Sequence, residues 1–170
     1  MTVSKFACSF VTTLFQIVHS LCHVPGLIVG RALQTATGLA EVNQLSVFLS
    51  PLSRDEILFL KAAKPGVSLP DFVADVMRRK LLRRIRWQKS ELSLRDLEDI
   101  EKRSFSAYRE LKEAHHFQYV IRNHDGEDSE NWDAFYYPLG VARLALLTFV
   151  SLLTGNTSAA VEYWEEELIP

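Results

Sequence analysis

The chain has 170 residues, 48% apolar and 24% charged, with a formal net charge of −2. That length fits one domain able to bury a sizeable core, and the balance is that of an ordinary globular chain. The near-neutral total gives no general case for a nucleic-acid partner. The two cysteines, Cys8 and Cys22, match neither a metal spacing nor a redox pair and read as reduced thiols, with the cytoplasm as default compartment.

Phe6 to Val24 is apolar and follows Lys5, a pattern shared with secretory signals. Thr12, Thr13, Gln16, His19, Ser20 and His23 interrupt it, whereas a membrane span needs about 20 predominantly apolar residues. The expectation is an amphipathic helix packed on the domain or a poorly ordered leader, with a signal peptide or anchor as the alternative. Pro25-Gly26 ends this pattern, and Leu27 to Leu39 reads as a second helix weakened by Gly30.

Leu45 to Leu49 is a compact apolar run closed by Ser50-Pro51, short enough for a buried strand. Ser53 with Glu56 three residues later forms a capping box ahead of Ile57, Leu58 and Leu60. Pro65-Gly66 breaks that helix. Pro70-Asp71 opens the next, with Phe72, Val73, Val76, Leu81, Leu82 and Ile85 as its apolar positions. Arginines 78, 79, 83, 84 and 86 fill the remaining faces. Ser93 and Asp96 start another helix, with Leu97, Ile100, Phe105, Tyr108 and Leu111 as a candidate inward face.

Phe117 to Ile121 is the second candidate strand, followed by a polar loop from Asn123 to Trp132. Pro138 to Leu153 is a strongly apolar helix that must be buried. Gly155-Asn156 closes it, and Val161 to Leu168 reads as a short amphipathic tail. Few strands among many helices predict an α/β layer, a parallel sheet covered by a majority of helices. Residues 1–44 form a separate helical or poorly ordered segment, and 45–170 form the main region.

Arg78 to Lys89 carries seven basic residues, whereas Asp125 to Asp133 is acidic. Phosphoryl transfer builds charge on the moving group, and enzymes meet it with cations placed by a helical lid. Arginine suits that work because its planar fork grips phosphate oxygens in pairs. Arg83 and Arg86, with Arg103 on the next helix, are the candidates for such a clamp. A solvated charged face explains the same residues, as does a nucleic-acid patch in which Trp87 stacks a base.

Asn123-His124-Asp125 follows a strand, where ligands of open α/β sheets bind. Asn123 is the candidate nucleotide contact, and an ordinary turn rich in Asn, Asp and Gly126 is the alternative. Asp125, Glu127, Asp128 and Glu130 lack EF-hand spacing and read as a solvated loop, so no metal site is assigned. The pair His115-His116 has no partner at ligand spacing. No Ser-His-Asp or Cys-His arrangement is present in the sequence pattern, and Asn156-Thr157-Ser158 matters only if the protein is secreted.

Four segments carry a family likeness. Val47-Phe48-Leu49-Ser50-Pro51-Leu52-Ser53 is similar to a strand ending in a Pro-Ser turn. Leu82-Arg83-Arg84-Ile85-Arg86 is similar to an arginine-bearing approach to a lid, and Asp99-Ile100-Glu101-Lys102-Arg103, with Ala107 and Glu110, to the helix leaving it. Phe117 to Ile121 followed by Asn123 is similar to a last strand with its adenine-side loop. In this order they resemble the back half of the guanylate kinase family of nucleoside monophosphate kinases, over about residues 45 to 125. Gly30-Arg31-Ala32-Leu33-Gln34 adds a faint likeness ahead of them.

The resemblance implies a partial P-loop-kinase-like fold, ATP with Mg²⁺ as cofactors and a nucleoside monophosphate as acceptor. It implies Arg83, Arg86 and Arg103 on the transferring phosphate and Asn123 on the adenine side. The chain departs from the family at His124, which separates Asn123 from Asp125, and in its longer lid segment. It also contains no Gly-x-x-x-x-Gly-Lys-Ser/Thr loop to wrap phosphates. The first 44 residues, too few for the family's front half, therefore read as a divergent or aberrant start, or the mark of a truncated product. The expectation is a nucleotide-binding chain that is catalytically weak or dead by itself. The alternative is a non-catalytic guanylate-kinase-like interaction module with a protein partner.

Overall fold

A computed structural model describes residues 45–64, 66–124 and 140–170. The expected helices over 6–24 and 27–39, both cysteines, the acidic loop from Asp125 and the Trp87 side chain lie outside the described residues.

Strand β1 is Val47–Ser50 and helix α1 is Arg54–Ala63. The capping box forms as its spacing predicts: the Ser53 hydroxyl accepts from the Glu56 N–H, and the Glu56 carboxylate accepts from the Ser53 N–H. Helix α2, Leu69–Gln88, is capped by Ser68 with Pro70 in its first turn, where a missing N–H costs nothing. Helix α3, Leu94–Lys112, repeats the capping box with Ser93 and Asp96. A 3₁₀ turn, Glu113–His116, leads into β2, Tyr119–Arg122.

Helix α4 spans Gly140–Leu153. It ends in a Schellman arrangement, with the Asn156 N–H on the Ser151 carbonyl and the Gly155 N–H on that of Leu152. Gly155 sits at φ +75°, which glycine alone adopts without strain. Strand β3, Val161–Glu162, and a second 3₁₀ turn, Glu166–Leu168, complete the described chain.

The three strands form one sheet in the order β1-β2-β3. β1 and β2 run parallel, with Val47 opposite Tyr119 and Ser50 opposite Arg122. β3 adds an antiparallel strand, Ile121 facing Val161. The fold is thus mixed α/β with helices in the majority. Side chains alternate across the sheet, as strand geometry requires. Phe48 and Val120 face a core built from Ile57 of α1, Val73 of α2 and Ala107 and Leu111 of α3. Val47, Tyr119 and Ile121 face the opposite way, against Ala145, Phe149 and Leu152 of α4. Ile57 is fully buried, so truncating it to alanine costs about 2–5 kcal/mol.

Three expectations change in detail. The buried stripe of α3 is Ile100, Ser104, Ala107 and Leu111, while Phe105 is 62% exposed and Leu97 is also exposed. The inward face follows the 3.6-residue period, even where that places serine and alanine inside. Helix α4 buries only one face, through Ala142, Ala145, Thr148 and Leu152, and leaves Leu147 and Leu153 each 50% exposed. The segment from Val161 is no loose tail. Trp164, Leu168 and Ile169 enter the core, and Glu162 accepts from both the Trp164 indole N–H and the Arg54 backbone N–H.

Candidate functional site

Parallel strands place their carboxyl ends side by side, and in α/β sheets that edge is where ligands bind. Here the edge consists of the turn after β1 and the corner after β2. Ser50 is completely buried, and its hydroxyl donates to the Leu52 carbonyl while accepting from the Leu52 N–H. This closes the Ser50-Pro51-Leu52 turn and delivers the chain to the α1 cap at Ser53.

The corner after β2 is tied at three points. The Asn123 N–H donates to the Ser50 carbonyl across the strand ends at 2.8 Å. Lys80 of α2 donates from Nζ to the Asn123 carbonyl. His124 Nε2 lies 2.8 Å from Glu56 Oε2 at the start of α1. Burial raises the Glu56 pKa, but the Ser53 N–H, the His124 ring and the Ser53 hydroxyl together outweigh that and hold it below the usual value. An ionised carboxylate only accepts, so His124 Nε2 is the donor.

With its backbone and neighbour fixed, Asn123 keeps one buried atom, Oδ1, that has no hydrogen-bond partner among the described residues. Buried polar atoms are almost always paired, and an orphan costs about 1–3 kcal/mol. A fixed, buried, unmatched acceptor at the carboxyl edge of a parallel pair is what a ligand's N–H would complete.

Helix α2 supplies the cations. It runs antiparallel to α3, as the Arg78–Glu101 and Lys89–Asp96 ion pairs require. Because α3 delivers the chain to the amino end of β2, α2 runs toward the carboxyl edge. Its residues beyond Lys80 continue for about 12 Å past the Asn123 level. Arg83 lies three residues after Lys80 and shares its face. Arg86 sits another turn out and is rotated about 120° from Lys80. Both arginines are exposed at the residue level.

Arg103 is exposed on α3, two residues past the Arg78–Glu101 contact. By the helix rise it is separated from the Arg83 level by about 10 Å and from the Arg86 level by about 15 Å. The fold thus brings Lys80, Arg83 and Asn123 to one edge, and places Arg103 farther back along the hairpin. Among the described residues no three His, Cys, Asp or Glu side chains converge as metal ligands.

Lys80, Glu56 and the bond from His124 to Glu56 are the parts of this corner that sequence reasoning misses. Lys80 is 43 residues from Asn123, and His124 is 68 from Glu56. No local pattern marks such pairs; Glu56 is visible only as a capping residue. An open apolar hollow of about 400 Å³ lies beside the corner between α1 and α2, with Phe59, Leu60 and Phe72 in its wall and Glu56 on its rim. No described helix is long and apolar enough to cross a membrane. Comparison of the chain with protein-family models, with curated proteins and with solved structures gives no match.

Proposed function

We propose that this chain is a guanylate-kinase-like module that binds ATP at the carboxyl ends of β1 and β2. The observation that carries the reading is the Oδ1 of Asn123, buried where the parallel pair ends and without a partner among the described residues. An acceptor there suits the exocyclic amino group of adenine, which donates from N6. The basic outer turns of α2, with Lys80 and Arg83 on one face, suit the phosphates, and the Mg²⁺ that the resemblance implies would be held by the oxygens of the nucleotide it arrives with. Arg86 and Arg103 are the further cations of this reading, and reach the transferring group only if the hairpin folds over it. The cytoplasm, where thiols stay reduced, is the compartment it assigns.

Phosphoryl transfer to a nucleoside monophosphate is the reaction of the lineage, but arginines alone do not supply it. They are worth about 10³–10⁵ in rate where a phosphate cradle already exists. The sequence holds no Walker A run, so the chain binds nucleotide without robust turnover. One observation favours the second reading, an interaction module: the outer face of α4 presents Leu147 and Leu153 to solvent.

Titration calorimetry with ATP, ITP and GMP tests the proposal. ITP carries an oxygen where ATP carries the amino group. ATP is expected to bind at micromolar concentration and ITP about tenfold more weakly, with Asn123→Ala abolishing the difference. Equal affinities for ATP and ITP, or no ATP binding, would overturn the proposal and favour the interaction module.

A further inference from the structure

We infer that Glu56 and His124 form a positioning pair that presents the Asn123 side chain to its ligand, an inference that rests on the nucleotide-binding reading above. One oxygen, Glu56 Oε2, accepts from the Ser53 N–H at 2.7 Å, the Ser53 hydroxyl at 3.0 Å and His124 Nε2 at 2.8 Å. Two of these donors belong to the start of α1 and the third to the end of β2. The capping geometry that fixes α1 therefore also fixes the residue next to Asn123.

The other two anchors of the corner act on the Asn123 backbone, through the Ser50 carbonyl and through Lys80. His124 is the one side chain of the corner that is bonded to α1 among the described residues. A binding group held rigidly before the ligand arrives loses less conformational freedom on binding, which appears as affinity. A capping box would exist at Ser53 and Glu56 whether or not His124 touched it. The distinguishing claim is that His124 donates a hydrogen bond that matters at Asn123.

Two replacements in the full chain separate these cases. His124→Phe keeps a ring of similar size without nitrogen donors, and His124→Gln keeps an N–H at about the reach of Nε2. Two readouts are taken: hydrogen exchange of the Asn123 amide without ligand, and ATP affinity by calorimetry. His124→Phe is expected to speed Asn123 exchange and weaken ATP binding about tenfold, with His124→Gln restoring both to within about threefold of the parent chain. Should His124→Phe fail to fold, Glu56→Gln replaces it; Gln serves the capping box, and its neutral acceptor is expected to weaken ATP binding about threefold. Parent-like exchange and affinity in His124→Phe would overturn the pair, and so would faster exchange with unchanged affinity. If the parent chain binds no ATP, the nucleotide reading falls by itself, and Asn123 exchange in the two variants still decides whether the pair fixes the corner.

Discussion

Glu56 joins stability to the site through a single carboxylate. It caps α1 and holds His124, and its pKa lies below the ordinary value. A lowered pKa means that the folded state binds fewer protons than the unfolded state between the two values. The associated stability is present above the unfolded pKa of about 4.5 and is lost as pH falls through the folded pKa. With the side chain 43% exposed, solvent screens the interaction, so the contribution is modest, about 1 kcal/mol or less. Thermal melts of the parent and Glu56→Gln across pH 7 to 3 check this: the difference between them should shrink as pH falls below about 4.5, and a constant difference would rule it out. Asn123 was legible from sequence as a strand-end asparagine because that signal is local. The roles of Lys80 and of the His124–Glu56 bond are not, because the partners lie on other elements far along the chain.

At the scale of elements, what could be read locally was read well. Ser53 with Glu56 and Ser93 with Asp96 marked helix starts, because a cap satisfies backbone donors within three residues. Gly155 marked a helix end for the same kind of reason. The inward face of α3 is harder to read, because apolar identity and periodicity disagree at Phe105, and the period turns that ring outward. The C-terminal segment reads as a tail in the sequence because two strand residues and a 3₁₀ turn leave no periodic pattern. Its role is decided by burial instead. Trp164 is 8% exposed, and its indole N–H is satisfied by Glu162. Trp164→Ala should therefore cost about 3–5 kcal/mol, measured as a lower midpoint in urea unfolding. A loss under 1 kcal/mol, the scale of an ordinary surface change, would show that the segment is not part of the core.

At the scale of the molecule, the sheet lets β1 and β2 end together, with α1–α3 on one face and α4 on the other. That layering was legible from two short apolar runs among amphipathic helices. The antiparallel β3 was not, since strand direction depends on where the chain returns to the sheet. The basic helix α2 carries its cations to the same edge at which Asn123 holds an acceptor unmatched among the described residues, and this convergence supports the nucleotide-binding proposal. Amide chemical-shift mapping on the full chain during titration with Mg·ATP tests it most directly. The account predicts saturable shifts concentrated at Ser50, Lys80, Arg83, Asn123 and His124. Shifts confined to the hollow around Phe59 and Phe72, or no shifts at millimolar ATP, would contradict it.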